Sequence, residues 1–282
     1  MSLSGKFASR NIAIKLAVAE TSQNMSFLNH LEELRWRLVK SSAAILIFAI
    51  LIFIYTEWIV NNIFLSLTKP DAPIFQFVCW AFGMCDNEIP IDMQNVDFTA
   101  QFGINLMLAI VGGIVVAFPY IFFQIWSFVK PGLKQNELKT VRGIVWFVSI
   151  LFFIGIAFGY FVIAPLTVHF FANWQLAESI ENNITIGSFL KTIISTVFFT
   201  GLLFLLPVVI FIFSKLGIIT PAWLRKYRKH AIVAILILAA IITPPDIFTQ
   251  IIVSVPIILL YELGIVLSKI VEKKRNRESQ VR

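Results

Sequence analysis

Two glutamates stand among basic residues where a membrane-surface segment would ordinarily carry only lysine and arginine. Glu33 lies in the segment LEELRWRLVK, and Glu137 is the only acid in a connection that holds four basic residues. A helix over residues 28–38 would place Glu33 and Arg37 at i,i+4, so an internal ion pair is one interpretation of Glu33. A carboxylate on a surface that faces anionic lipid is mildly repelled by it. A cationic ligand that visits the carboxylate explains its presence better.

The residue types needed for catalysis are poorly represented. There is no GxSxG, HExxH or Walker motif, and the three histidines, His30, His169 and His230, each lie near a predicted membrane boundary. Glu262 is the one carboxylate placed inside a predicted span, since Glu57 is assigned to the connection at the end of the first span. Functional and structural roles are both open for Glu262. We therefore expect no enzyme activity, metal site or cofactor. An intramembrane hydrolase lacks paired catalytic residues, whereas a proton-coupled transporter that uses Glu262 is the alternative to a binding protein.

The elements that must position these residues are membrane helices. The chain has 282 residues and is 58% hydrophobic, above the roughly 45–50% of soluble domains. Apolar runs predict an all-α polytopic protein with six transmembrane helices. The predicted spans cover about residues 41–60, 102–128, 143–165, 188–214, 231–242 and 247–267.

Basic residues are concentrated in alternate connections, which sets the predicted orientation. They precede the first span, fill the second and fourth connections and end the chain, whereas acids dominate the first connection. By the positive-inside rule both termini are cytoplasmic. The net charge of +7 is thus explained by topology, and no nucleic-acid partner is expected.

Two features of the spans predict an irregular bundle. Pro119, Pro207 and Pro256 lie inside spans two, four and six, where a missing N–H bends a helix. Kinked helices favour a concave, cup-like bundle, and ordinary kinked packing is the alternative. The fifth span, residues 231–242, would reach about 18 Å, against a hydrocarbon core of about 30 Å. Membrane thinning, snorkelling or a partner must absorb that mismatch.

The termini and the first outer connection leave alternatives open. Residues 1–24 are predicted to be an N-terminal extension, possibly disordered, because Lys15 interrupts the apolar region that a signal peptide needs; a true start at Met25 is the alternative. Residues 25–270 form the predicted membrane domain, and residues 271–282 form a basic cytoplasmic tail. Cys79 and Cys85 would face an oxidising compartment in a bacterium, so a disulfide and a pair of reduced thiols are both open.

Four segments together resemble one known family. They are FLNHLEELRWRL (27–38), FPYIFFQIWSFVKPGLKQNE (118–137), FGYFVIAPL (158–166) and TPPDIFTQIIVSVPIILLYELG (243–264). In this order they are similar to the TatC family, the multispanning receptor subunit of the twin-arginine protein translocase. The resemblance implies a protein of the cytoplasmic (inner) membrane that binds twin-arginine signal peptides. It also implies export of folded proteins, driven by the proton-motive force, in an oligomeric complex with TatA-like and TatB-like single-span partners.

The resemblance also implies roles for particular residues. Signal-peptide binding maps onto Glu33, Arg35, Phe128 and Glu137. Two consecutive arginines can bind carboxylates bidentately, which lysine cannot reproduce. Glu33 and Glu137 would receive them, Phe128 would make an apolar contact and Arg35 would orient a carboxylate. For Glu137 an ion pair with a neighbouring lysine is the alternative.

At the other side of the membrane, the resemblance implies a partner-helix edge at Thr243, Asp246 and Gln250. Asp246 follows two prolines where a helix restarts, so it is also expected to cap that helix. One position departs from the family: many members carry a glutamate two residues before the proline of the fourth span, and Leu205 occupies that position here. A partner contact through that glutamate is therefore not expected in this chain.

Overall fold

The computed structural model describes residues 31–68, 93–95, 98–129, 141–173, 184–242 and 247–280. Almost all of these residues are helical. The helices in chain order are α1 (Leu31–Ile54), α2 (Thr56–Ile59), α3 (Ala100–Val129), α4 (Val141–Phe158), α5 (Ala164–Asn173), α6 (Ile186–Leu203), α7 (Leu206–Lys215), α8 (Pro221–Lys226), α9 (Arg228–Ile242) and α10 (Ile247–Gln280).

Five helical segments of the described chain are long and apolar enough to cross a membrane. They are Leu31–Ile54, Ala100–Phe128, Gly143–Ala172, Ile186–Lys215 and Gln250–Arg275. The all-helical, polytopic part of the prediction is thus confirmed. The segment predicted as the fifth span lies in α9, whose 15 residues reach about 22 Å at 1.5 Å per residue. It is longer than predicted and still shorter than a hydrocarbon core.

The charged segment around Glu33 and the first apolar span form one continuous helix, α1. Leu31, Leu34 and Leu38 are exposed on it, as suits a surface that meets lipid. After Ile54 the chain continues through α2, a π-helical turn at Val60–Phe64 and a 3₁₀ turn at Leu65–Thr68. The hydroxyl of Tyr160 donates to the Ile63 carbonyl oxygen at 2.6 Å and so ties this irregular end to the third long segment.

Proline interrupts the long segments at two places. The third segment passes through a π-helical turn at Gly159–Ile163 directly before Pro165, because proline cannot donate to the preceding turn and its ring needs room there. The fourth segment breaks at Phe204–Leu205, just before Pro207. Helices α3 and α10 continue through Pro119 and Pro256. The sequence predicted a bend at each of Pro119, Pro207 and Pro256; of these three, the helix is interrupted at Pro207 alone. The π turn before Pro165 was not predicted.

Glycines allow the long helices to approach each other closely. A Cβ on Gly113 of α3 would lie 2.8 Å from the backbone nitrogen of Ala49 in α1. On the third segment, a Cβ on Gly159 would lie 2.9 Å from the Cα of Val197 in α6. Without a hydrophobic driving force in lipid, such backbone contact is a main source of helix association. The small residues therefore fix how α1 and α6 sit against their neighbours.

The apolar interior is divided among three clusters. One joins the end of α1–α2 to α3, α5 and α6 around Leu67, Leu108 and Ile193. A second joins α7, α9 and α10, and a third stacks Phe118 of α3 on Phe152 of α4 with ring centroids 3.8 Å apart. Away from the helices, strand β1 (Met93–Gln94) pairs in parallel with β2 (Ile184–Thr185). This short pairing, which the sequence did not predict, brings the starts of α3 and α6 together.

Candidate functional site

The Glu33 side chain is held by an arginine one turn later on α1. Arg37 approaches Glu33 Oε1 with both Nε, at 3.0 Å, and Nη2, at 2.5 Å. This is the i,i+4 pair that the sequence predicted. Both contacts use the same carboxylate oxygen. A carboxylate has two oxygens and about four acceptor positions, and the pair with Arg37 uses one of the two oxygens.

Arg37 in turn contacts the next long helix. Its Nη1 lies 3.4 Å from Oε1 of Gln124, a buried residue of α3. The Arg37 side chain is 23% exposed, whereas that of Glu33 is 40% exposed. The arginine is thus the more deeply placed partner, and the pair presents its carboxylate to the surroundings. The sequence reasoning did not single out Gln124; the signal for it was an amide inside the apolar run FFQIW.

The other two described residues of the predicted binding site lie at the same end of the molecule. Arg35 is exposed on α1, and Phe128 is half-buried near the end of α3. Gln124, one turn before Phe128, and Trp126 are both buried beneath this region. Trp126 stacks on Phe122 with ring centroids 6.3 Å apart, which makes a rigid aromatic base. The structure therefore brings Glu33, Arg37 and Gln124 together and places Phe128 one turn beyond Gln124.

Glu262 forms a second ion pair, of a different kind. Its Oε1 lies 2.5 Å from Nε of Arg228, the first residue of α9. That oxygen is buried and, within the described chain, accepts no hydrogen bond, so the contact is an ion pair alone. Next to it, the buried hydroxyl of Tyr261 donates to the Leu224 carbonyl oxygen at 2.8 Å. The Glu262–Arg228 pair therefore helps to fasten α10 to α9, beside the Tyr261 contact that fastens α10 to α8. This is the structural role that the sequence left open.

Gln250 is the described member of the predicted partner-helix edge. Its Nε2 donates to the carbonyl oxygen of Leu236 in α9 at 3.0 Å. At the end of the same short helix, Thr196 of α6 donates to the carbonyl oxygen of Ile242 at 3.3 Å. Helix α9 is thus held from two sides by side-chain hydrogen bonds. These bonds matter because the hydrocarbon core of a bilayer has no water to bind the backbone groups.

Several predicted residues lie outside the described parts of the chain. They are Cys79, Cys85, Glu137, Thr243 and Asp246. Their predicted roles are neither supported nor opposed by the geometry. Among the described residues there is no group of three or more His, Cys, Asp or Glu side chains that could hold a metal ion.

Comparison with known proteins identifies the chain. The family model described as Sec-independent protein translocase protein (TatC) matches residues 29–256. The chain belongs to the TatC family. It is a receptor subunit of the twin-arginine translocase, which serves Sec-independent protein export, and this transport role is not enzymatic. The predicted family and function are thereby confirmed, and the transporter alternative is set aside.

Individual TatC proteins cover almost the same length. The Sec-independent protein translocase protein TatC of Blattabacterium sp. subsp. Periplaneta americana is 35% identical over 261 residues, covering 89% of this chain and 97% of the relative. The TatC of Helicobacter pylori strain 26695 is 35% identical over 243 residues, covering 86% and 87%. A crystal structure of the twin-arginine translocase receptor TatC has a TM-score of 0.67 at 27% identity, covering 86% of this chain and 99% of that one.

Leu205, the departure from the TatC pattern, lies in the break of the fourth segment. It is the residue before α7, and it packs half-buried against the cluster of Phe118, Val148, Phe152 and Val208. An apolar side chain fits this position because its neighbours are apolar. A carboxylate there would lack a partner among the residues of that cluster.

Proposed function

We propose that Glu33 receives the arginine pair of a twin-arginine signal peptide at the cytoplasmic face of the membrane. The observation that carries this proposal is the arrangement of the Glu33–Arg37 pair, in which the arginine is the deeper partner and the carboxylate is outermost. A guanidinium can approach such a carboxylate in a bidentate manner, and an ammonium cannot. Glu33 would therefore prefer arginine to lysine.

The other predicted binding residues would complete this surface. Glu137, in the connection after α3, would receive the second arginine, and Arg35 would orient a carboxylate. Phe128 is half-buried near the end of α3, and it would contact the apolar part of the peptide. Neighbouring carboxylates suit two consecutive guanidinium groups better than a single carboxylate does, because each arginine can then form its own charge-assisted hydrogen bonds.

The cytoplasmic placement follows from charge. We propose six spans with both termini in the cytoplasm, in the cytoplasmic (inner) membrane, because the basic residues lie in alternate connections. Helix α9 would be the fifth span, thinning the membrane beside it. Residues 1–24 would be an extension, residues 25–270 the membrane domain in a cup-like arrangement, and residues 271–282 a cytoplasmic tail.

The exposed side of the short helix would receive single-span partners of the TatA and TatB kind. Thr243, Asp246 and Gln250 would lie at that edge, where a partner helix would cover α9 and its mismatch with the bilayer. The amide of Gln250 already binds the Leu236 carbonyl, so the partner would pack beside that hydrogen bond. In an oligomeric complex of this kind, export of folded proteins would draw on the proton-motive force.

The test is peptide binding to the detergent-purified chain. Peptides that carry Arg-Arg or Lys-Lys at the same position are compared on the unmodified protein and on Glu33→Gln and Glu137→Gln. We expect a preference for arginine of about tenfold, or about 1.4 kcal/mol, which falls below about twofold in Glu33→Gln.

Glu32→Gln is the matched control, because Glu32 is exposed on the same turn of α1 and its loss changes the net charge equally. This variant should keep the arginine preference. Equal binding of both peptides by the unmodified protein would overturn the proposal, and so would an unchanged preference in Glu33→Gln.

A further inference from the structure

A polar cavity lies at the end of α1 that is remote from Glu33. It has a volume of about 560 Å³ between the α1–α2 junction and the starts of α3 and α6. Five polar side chains line it next to the aromatic ring of Phe53, namely those of Thr56, Glu57, Asn61, Gln101 and Asn105. Glu33 and Arg35, which we propose to contact a signal peptide, lie at the opposite end of α1, so this cavity has no part in the proposed receptor site.

Two acceptors in this cavity have no partner among the residues that the structure describes. Asn105 Oδ1 is buried, and among the described residues it accepts no hydrogen bond. The carboxylate of Glu57, also within the described chain, forms no ion pair and accepts no hydrogen bond. A buried acceptor inside a membrane span is unfavourable unless something donates to it. A negative charge beside an unpaired acceptor selects a ligand that is cationic and rich in N–H donors.

The helices that line the polar cavity also line an apolar one. The apolar cavity has a volume of about 340 Å³ and includes Leu108 of α3 and Ile194 of α6. These residues lie one turn beyond Ile104 and Leu190, which line the polar cavity, a step of about 6 Å along each helix. Ile52 of α1 lies on the turn before Thr56 in the same way. The lining is thus polar at the helix ends and apolar one turn deeper. A phospholipid has the same order, with a polar headgroup followed by an apolar acyl chain.

We propose that these two cavities bind a single phospholipid whose headgroup carries a primary ammonium, as in phosphatidylethanolamine. The ammonium would donate to the Glu57 carboxylate and to Asn105 Oδ1, and the phosphate would accept from the amide groups of Asn61 and Gln101. One acyl chain would lie along Leu108 and Ile194. An anionic headgroup that lacks the ammonium would meet the Glu57 charge without compensation. In the proposed orientation the lipid would lie in the outer leaflet, because the cavity is at the end of α1 remote from Glu33. The binding itself does not depend on that orientation.

The bound lipid would fill a gap that the helices leave open. Helices α1 and α3 are in backbone contact at Ala49 and Gly113. Near Glu57 and Asn105 the cavity lies between the two chain segments instead. A lipid in that position would connect α1 to α3 and α6 at the end where the first span becomes irregular. It would act as a structural component rather than as a substrate.

Native mass spectrometry of the full-length protein in detergent tests the proposal. Phosphatidylethanolamine and phosphatidylglycerol with identical acyl chains are added at equal concentration, and the retained lipid is counted. We expect phosphatidylethanolamine to be retained about tenfold more strongly, or about 1.4 kcal/mol. In Glu57→Gln and in Asn105→Leu the two lipids should differ by less than about twofold.

Glu32→Gln is again the charge-matched control, and it should keep the preference for phosphatidylethanolamine. Glu57 is exposed, so Glu57→Gln is expected to fold, and its unfolding temperature without added lipid should match that of the unmodified chain. Equal retention of both lipids, or a preference that survives in Glu57→Gln, would overturn the proposal. A preference for phosphatidylglycerol would also overturn it and would point to Lys191, which lines the neighbouring cavity. The measurement uses no signal peptide, so its failure is distinct from failure of the receptor proposal.

Discussion

The two glutamate–arginine pairs of this chain are built in opposite ways. In the Glu33–Arg37 pair the arginine is 23% exposed and the glutamate 40%. In the Arg228–Glu262 pair the arginine is 55% exposed and the glutamate 34%. The first pair spans one turn of α1, whereas the second joins the start of α9 to α10. One pair therefore presents a carboxylate, and the other presents a guanidinium.

In the proposed function, this difference separates a group that would bind a ligand from a group that fastens helices. The partner nearer the interior is fixed by its neighbours, and the outer partner is the more exposed of the two. Arg37 is fixed by Gln124, and Glu33 is the outer partner, to which the proposal assigns a cationic peptide. Glu262 lies beside Tyr261, whose hydroxyl binds α8, so its contact with Arg228 holds helices together. The presence of an ion pair alone does not indicate a function. Which of its two partners is the more exposed is more informative, because that partner faces the surroundings.

Reversing the first pair is expected to have the largest effect. The double variant Glu33→Arg/Arg37→Glu keeps an i,i+4 ion pair and presents a guanidinium instead of a carboxylate. We expect affinity for the twin-arginine peptide to fall by about 100-fold, or about 2.7 kcal/mol, because an attraction becomes a repulsion. The unfolding temperature should change little, since exposed i,i+4 pairs contribute only about 0.3–0.5 kcal/mol. Peptide affinity that survives this reversal would show that the order of burial does not determine the binding role.

A substitution that separates α1 from α3 tests the close contact between the two helices that carry Arg37 and Gln124. In Gly113→Ala the new methyl group would lie 2.8 Å from the Ala49 nitrogen and 2.9 Å from the Ile45 carbonyl oxygen. The helices must move apart, at a cost of about 1–3 kcal/mol, and thermal unfolding should show a lower transition temperature. Gly103→Ala is the control on the same helix, because a Cβ there meets nothing within 4 Å. Equal transition temperatures for the two variants would contradict close contact between α1 and α3.

Removing the charge of the second pair is expected to have the smallest effect. Glu262→Gln breaks the ion pair with Arg228, whose side chain is exposed enough to be solvated alone. We expect a loss of less than about 1 kcal/mol in the free energy of unfolding. The preference for Arg-Arg over Lys-Lys peptides should be unchanged. A variant that unfolds normally and loses that preference would place Glu262 in the receptor surface and remove the contrast between the pairs.

Local patterns in the sequence predicted much of the helical framework. The apolar runs place the five long segments, and the i,i+4 spacing of Glu33 and Arg37 predicts the contact that the structure shows. Of the three prolines predicted to bend a helix, Pro207 lies at the interruption of the fourth segment, whereas the helices continue through Pro119 and Pro256. These predictions succeed because helix formation, hydropathy and i,i+4 contacts depend on residues close together in the chain. The same reasoning missed the π turn before Pro165, where the third segment stays helical by changing its hydrogen bonds.

Contacts between distant residues could not be predicted in this way. Gln124 meets Arg37 across 87 positions, and Glu262 meets Arg228 only because α9 and α10 pack side by side. Asn105 looks unremarkable in the sequence. That its Oδ1 has no hydrogen-bond partner among the described residues is evident only once α1, α3 and α6 lie around it. Helices in lipid can pack in many arrangements of similar apolarity, so small residues such as Gly113 and individual polar contacts choose among them.

The sequence by itself determined that this chain is a helical membrane protein of the TatC family, and it located the acids on which recognition would depend. Hydropathy, charge placement and the four family segments are sufficient for that, because each is a property of residues near one another in the chain. Only the tertiary structure decided which partner of each ion pair is outermost and which polar atoms are left without a partner. Those properties depend on burial, and burial is set by which helices pack together.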